Sequence, residues 1–410
     1  MNRPTVTLCM IVKDETHVIE QCLKSMAKHI DRYDITDTGS TDGTQDLIKK
    51  TMEELDIPGE VHQSDWKGFG DHNGKTGSRT ESLRNAQKSG ADYAWVIDAD
   101  DYMTGNFKYP NEMTADSYAV SMGRAEFGWW RNQIFKLEHD WNYIGVLHEY
   151  ADCTSTPREQ LKFERIEGDY RVVARTEGNR NIGVSPIEKY KRDAETLEKA
   201  LEDEPKNERY QFYLGQSYFD SQQWEKALEA YEKRVELGGW PEEVYYSLLR
   251  CAIIKGMLER PQEEVAQAFL ECFASRPIRA EPLWFLSRLY RMADKPAIAY
   301  LYARMAAEIP YPKQDILFIQ NDVYSWSVLD EVGSTAFYAG FPEVGLAACK
   351  KLLEFPPGVL PIEHKQRVFD NMKSYEKVLE NIKNQNIQAK AQAQSKPKKK
   401  NYKTRKKNKV

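Results

Sequence analysis

Cysteine and histidine are scarce in this chain. Its 410 residues hold six Cys and seven His. No two cysteines form a C-x-x-C pair, and none stands with histidine at the spacing of a zinc site, which excludes the common structural zinc modules. Cys9, Cys22, Cys153, Cys251, Cys272 and Cys349 are scattered, several of them through apolar patterns. They are expected as buried free thiols, which fits a reducing compartment. Also missing is any run of about 18 apolar residues, so no membrane-spanning helix is expected. The first residues reach Asp14 and Glu15 too soon for the apolar stretch of a secretion signal. A cytoplasmic protein is therefore expected.

The net charge of −5 is unevenly spread. From Lys390 onward there are ten Lys or Arg and no Asp or Glu, and removing those ten leaves −15 on the residues before them. An acidic body with a basic end is not a protein wholly devoted to nucleic acid.

The patterning divides the chain in three. Residues 1–185 alternate strand and helix signals. Thr5 to Val12 is a nearly continuous apolar run, fit for a central strand. Val18, Ile19, Cys22, Leu23, Met26 and Ile30 recur at helical spacing. A short strand at Tyr33–Thr36, a helix over Thr44–Leu55, a weak strand from Glu60, a helix from Arg79 to Ser89 and a strand at Tyr93–Ile97 complete a βαβαβαβ order. That order predicts an α/β domain with a mainly parallel sheet. In residues 186–386 the strand signals disappear. Leu214, Gly215, Tyr218, Ala227 and Tyr231 fall where a tetratricopeptide repeat places Leu-Gly, Tyr, Ala and Phe, and a 34-residue step from Leu214 lands on Leu248. An all-α, TPR-like repeat domain of stacked hairpins is expected, its concave face open to a peptide, a protein or a second copy of the chain. Residues 387–410 turn to Ala, Gln, Lys and Asn and read as a disordered basic tail, available to anionic partners.

The chemistry is concentrated at predicted strand ends. Asp98-Ala99-Asp100-Asp101 directly follows the apolar strand Tyr93–Ile97. Three carboxylates there cannot remain buried unpaired, and the C-terminal edge of an open α/β sheet is where ligands bind. Closely spaced carboxylates suit a hard divalent cation shared with phosphate oxygens. Upstream, Asp37-Thr38-Gly39-Ser40-Thr41-Asp42-Gly43-Thr44 follows another strand, its glycines permitting tight turns and close approach of a ligand. A third segment, Gly68 to Thr76, imitates a phosphate-binding P-loop, but Gly68 and Gly74 are one residue too far apart. A mobile loop beside the ligand with Lys75 available to a phosphate, or a plain solvated surface loop, is expected instead.

The stretches Met10–Glu15, Asp37–Thr44, Ser78–Ala86 and Val96–Asp101, taken in order, resemble the family 2 glycosyltransferases of the nucleotide-sugar-binding GT-A fold. The segment Trp141-Asn142-Tyr143-Ile144-Gly145-Val146-Leu147-His148-Glu149 resembles the later part of such domains when joined to tetratricopeptide repeats. The resemblance implies a donor site made by Val12, Lys13, Asp14, Glu15, Asp37, Gly39, Arg79, Asp98 and Ala99, with Asp37 on the base. It implies Mn2+ or Mg2+ on Asp100, with His148 as a further ligand or phosphate contact. Glu149 is the expected base toward the acceptor hydroxyl, with Asp101 in reserve. Trp141 and Tyr143 are favoured over Trp129 and Trp130 for stacking on a sugar. Asp14, Thr36 and Thr80 depart from the family pattern. The Gln-x-x-Arg-Trp signature of processive enzymes is absent, so transfer of a single sugar is expected, inverting by the same resemblance, from a nucleotide-sugar such as a UDP-sugar to a protein, peptide or glycan. Two rivals remain: an inactive domain on a repeat scaffold, and a sugar nucleotidyltransferase. The second would need a Gly-rich basic loop after the first strand, which Lys13-Asp14-Glu15 does not supply.

Overall fold

A computed structural model describes residues 3–71, 73–124, 127–179 and 182–395. The chain forms two compact units, residues 1–230 and 231–410. Among the described residues no helix is long and apolar enough to cross a membrane.

The first unit begins as the βαβ pattern predicts. Strand β1 (Val6–Val12) is buried along almost its whole length, so it takes the centre of the sheet, where both faces need apolar cover. Helix α1 (Ile19–Met26) packs Ile19, Cys22, Leu23 and Met26 against it, the stripe that a period of 3.6 brings to one face. Next come β2 (Arg32–Asp37), α2 (Thr44–Glu54), β3 (Gly59–Gln63), α3 (Ser78–Lys88) and β4 (Tyr93–Val96). These strands run parallel in the order β3-β2-β1-β4. Val12 pairs with Asp37 and Cys9 with Val96, so β1, β2 and β4 end at one edge.

Beyond β4 the sheet becomes mixed. Strands β5 (Tyr102–Gly105), β6 (Ser117–Arg124), β7 (Phe127–Lys136), β10 (Phe163–Arg165) and β11 (Tyr170–Val173) extend it, with β7 antiparallel to β4 and β6. A separate hairpin pairs β8 (Trp141–Ile144) with β9 (Tyr150–Cys153). Helices α4 (Pro186–Asp203) and α5 (Glu208–Asp220) complete this unit with the first turns of α6 (Trp224–Leu237). Ser185 caps α4 by accepting the Glu188 N–H, with Pro186 in the first turn. The six cysteines are all buried and free.

The second unit is helical: α7 (Pro241–Met257), α8 (Gln262–Ser275), α9 (Glu281–Met292), α10 (Pro296–Ala307), α11 (Val328–Thr335), α12 (Pro342–Leu353) and α13 (Ile362–Ser395). Sequential helices pack on one another, as in stacked repeats. The expected repeat positions Leu214, Gly215, Tyr218 and Ala227, which fall in the first unit, and Tyr231, which opens the second, are all buried. Helix α13 carries the start of the Ala- and Gln-rich end, and the basic residues 396–410 lie outside the described residues.

Candidate donor site

Two loops at the edge shared by β1 and β2 are laced together. After Val12 the chain turns sharply, with Asp14 at φ 56°. Asp14 Oδ1 accepts the Thr41 N–H at 2.7 Å, and Ser40 Oγ accepts the Asp14 N–H at 2.9 Å. Asp42 takes hydrogen bonds from the amide and hydroxyl of both Thr16 and Thr44. Partial burial would raise the Asp42 carboxyl, but those four donors pull it down to about 2. Asp37 Oδ1 accepts the Gly39 and Ser40 N–H groups at 2.9 and 2.8 Å, a turn that needs Gly39 at φ +102°. Its second oxygen, Oδ2, is buried and accepts no hydrogen bond from the described residues.

The acidic stretch after β4 is held from three directions. Arg79, buried at the start of α3, donates from Nη2 to Asp98 Oδ1 at 2.6 Å. Its Nε lies 2.7 Å from Glu149 Oε1, off the line of its own N–H. The rings of Phe69 and Tyr143 lie within 5.8 Å of the guanidinium. Burial would raise the Asp98 carboxyl, yet Arg79 and the more distant Arg131 hold it below the usual range. Asp100 Oδ2 accepts the Glu177 and Gly178 N–H groups, both at 3.0 Å. The carboxylate of Glu15 accepts the Asn179 N–H. Burial and the charge of Asp100 push Glu15 up to about 6, although the Asn179 bond opposes this. Asp101 is buried and accepts the Arg175 N–H at 3.0 Å, and burial with the charge of Asp98 raises it to about 7.

These elements surround a cleft of about 620 Å³, within the range of small-molecule sites. Val12, Lys13, Glu15, Arg79, Asp98, Ala99 and Asp100 line it, so seven of the residues singled out in the sequence meet there. Asp14, Asp37 and Gly39 do not line the cleft; they shape the loop that presents Thr38 to it. Asp101 is buried beside the cleft, and Glu149 sits against Arg79. His148 is exposed and stacks on Tyr213 of α5, with ring centroids 3.9 Å apart. Trp141 and Tyr143, favoured for sugar stacking, are core residues, and the tryptophan in the cleft wall is Trp66.

Several cleft residues carried no sequence signal. Gly178 and Asn179 arrive from beyond β11, and Thr196 from α4. Helix α5 braces the segment after β8: Tyr210 Oη accepts the Val146 N–H, and Arg209 donates to the His148 carbonyl at 2.7 Å. The P-loop lookalike is filled by its own acid. Asp71 accepts the amides of Asn73, Lys75 and Thr76 and the Thr76 hydroxyl, so those amides are not free to cradle a phosphate.

Among the described residues one group of three acid or His ligand atoms lies within 4.8 Å: Asp116, Glu138 and His139. It sits where β4 begins, at the opposite end of that strand from Asp98. His139 already hydrogen-bonds Asp116, and Lys136 pairs with Glu138.

The glycosyl transferase family 2 model matches residues 7–160, from β1 to the turn after β9. No curated protein matches the chain. Similar solved structures include BtubC from P. vanneervenii (12% identity, 55% of this chain and 96% of that one, TM-score 0.37). YrrB, a TPR protein, is 14% identical over 42% of this chain and 79% of its own, with TM-score 0.32. A thermophilic TPR protein of Thermus thermophilus, TTC0263, is 14% identical over 45% of this chain and 90% of its own, with TM-score 0.31. The stretch 7–160 is thus a glycosyl transferase family 2 domain, and a helical unit of repeat-like pairs follows it.

Proposed function

We propose that the chain transfers a single sugar from a nucleotide-sugar, a UDP-sugar by preference, to the hydroxyl of a protein, peptide or glycan acceptor. The observation that carries this reading is the convergence of Glu15, Arg79, Asp98 and Asp100 on one cleft at the ends of β1 and β4. In an open α/β sheet this edge is the place for a nucleotide. Asp37, buried beneath the adjoining loop, would act on the base by shaping the turn that presents Thr38 to the cleft.

The donor set is oxygen-rich and suits a hard divalent cation, Mn2+ or Mg2+. The fit rests on two carboxylates crowded against Gly178: a Cβ added there would meet Glu15 Oε1 at 3.3 Å and Asp100 Oδ2 at 3.4 Å. Asp100 would hold the cation, with Asp98 and Glu15 beside it, while His148 would need to leave Tyr213 to join them. The bound cation would offset charge developing on the leaving nucleoside diphosphate. Lys13 supplies positive charge in the same cleft, while the charge of Arg79 is already matched by Asp98 and Glu149. Glu149 takes the acceptor's proton in this scheme. Arg79 positions it near Asp98, and Asp101 is the second choice.

A thermal-shift screen of nucleotide-sugars with and without Mn2+ tests the reading. A UDP-sugar should stabilise the chain only with the metal, and Asp100→Ala should abolish that shift. An unchanged shift in the variant would remove the metal assignment. No shift and no donor hydrolysis across the panel would favour an inactive domain on a repeat scaffold.

A further inference from the structure

The helical unit holds a second cleft, of about 550 Å³, walled by α9, α11 and α13. Its polar groups come as matched pairs. Arg291 grips the nearly buried Glu331 with two hydrogen bonds at 2.8 and 2.9 Å. Arg367 grips Asp330 in the same two-pronged way, at 3.0 and 2.8 Å. Asp294 and Arg288 add one charge of each sign, so the lining is close to neutral.

Aromatic faces stand between these pairs. Arg288 lies over the Trp284 ring at 4.7 Å and makes no ion pair among the described residues. Trp326 lies against His364, with ring centroids 5.0 Å apart. Trp326 and Ser327 belong to a π-helical turn, Val323–Ser327, in which the Val328 N–H reaches back to the Val323 carbonyl. Such turns are uncommon and recur at functional sites. Ser327 is only 3% exposed, lines the cleft, and its hydroxyl has no hydrogen-bond partner among the described residues. A buried hydroxyl left unpaired is costly, so Ser327 independently calls for a polar partner.

We infer that this cleft binds a neutral polyhydroxylated ligand, a pyranose unit of an oligosaccharide. A hydroxyl both donates and accepts, so neighbouring hydroxyls on a sugar can donate to Glu331 or Asp330 while accepting from Arg288 or Ser327. Neither step changes the charge of the cleft. An anion would find its cations already matched by carboxylates, and the tryptophans offer the apolar faces on which a sugar's C–H surface rests. That the oligosaccharide is the transferase's acceptor rests on the proposed function; the sugar site itself does not.

Saturation-transfer NMR and calorimetry on the full chain would use a panel of neutral gluco-, manno-, galacto- and chito-oligosaccharides, with an acidic peptide and inorganic phosphate as separate arms. At least one neutral oligosaccharide should bind saturably. Affinity should fall at least tenfold in Arg288→Ala and in Ser327→Ala. Arg288 is half-exposed and makes no ion pair among the described residues, so its removal should leave the helical circular-dichroism signal intact. The UDP-sugar thermal shift should persist in both variants. Failure of every neutral sugar to bind overturns the inference. So does undiminished sugar binding in both variants, or binding of peptide or phosphate alone. Loss of the donor shift with sugar binding retained would count against the transferase reading and leave this site standing.

Discussion

Arg79 is the hub of the candidate donor site, and its removal has a calculable cost. The guanidinium is buried between Asp98 and Glu149, whose side chains are 33% and 9% exposed. In Arg79→Met the Glu149 carboxylate stays buried without its partner. Breaking a buried pair by removing one member costs about 3–5 kcal/mol. Asp98 retains access to solvent and to Arg131, so it adds little, and the lower end, about 3 kcal/mol, is the expected loss. For a unit of this size each kcal/mol moves Tm by about 2–4 °C, so scanning calorimetry should find a drop of about 6–12 °C. Glu149→Gln placed in the Arg79→Met background removes the stranded charge and should return about half of the loss. Arg79→Lys should not rescue, because one ammonium cannot reproduce a two-sided fork. A drop under about 1 kcal/mol, or no recovery in the double variant, would refute the idea that Arg79 joins the two carboxylates.

Three further outcomes are expected. Asp42→Asn removes a carboxylate whose folded-state value lies near 2, below its ordinary range. Its stabilising charge is present above about pH 4 and lost as pH falls toward 2, so urea-unfolding curves of wild type and variant should converge over that window. Gly70→Ala would put a Cβ 2.4 Å from the Tyr143 carbonyl and should cost about 1–3 kcal/mol in the same assay. Arg209→Ala removes the brace on the His148 carbonyl and the contacts with the Tyr150 and Tyr213 rings. It should cost about 1 kcal/mol of stability and lower the turnover of donor more than its affinity.

The first half of the sheet was legible because its physics is local and periodic. The run Thr5–Val12 could only be a buried strand, and parallel pairing then carries Asp37 and Asp98 to one edge, whatever the loops do. The mixed half was not legible: β7 inserts beside β4 although the βαβ order ends there. The core placement of Trp141 and Tyr143 is not legible in the sequence, because an aromatic in a strand packs equally well inward or outward. Here the hairpin β8–β9 turns them against α3 and the sheet. The contacts of Glu177, Gly178 and Asn179 with Asp100 and Glu15 join residues far apart in the chain, and no pattern announces them. Asp71 shows the opposite case, a motif-like loop whose meaning changes once its own carboxylate is seen to occupy it.

A crystal structure with UDP and Mn2+ tests the central claim most directly. The account predicts a diphosphate in the cleft between Lys13, Arg79 and Asp98, with an Asp100 oxygen about 2.1 Å from the cation. A cation held by Asp116, Glu138 and His139, with the nucleotide away from the ends of β1 and β4, would contradict it.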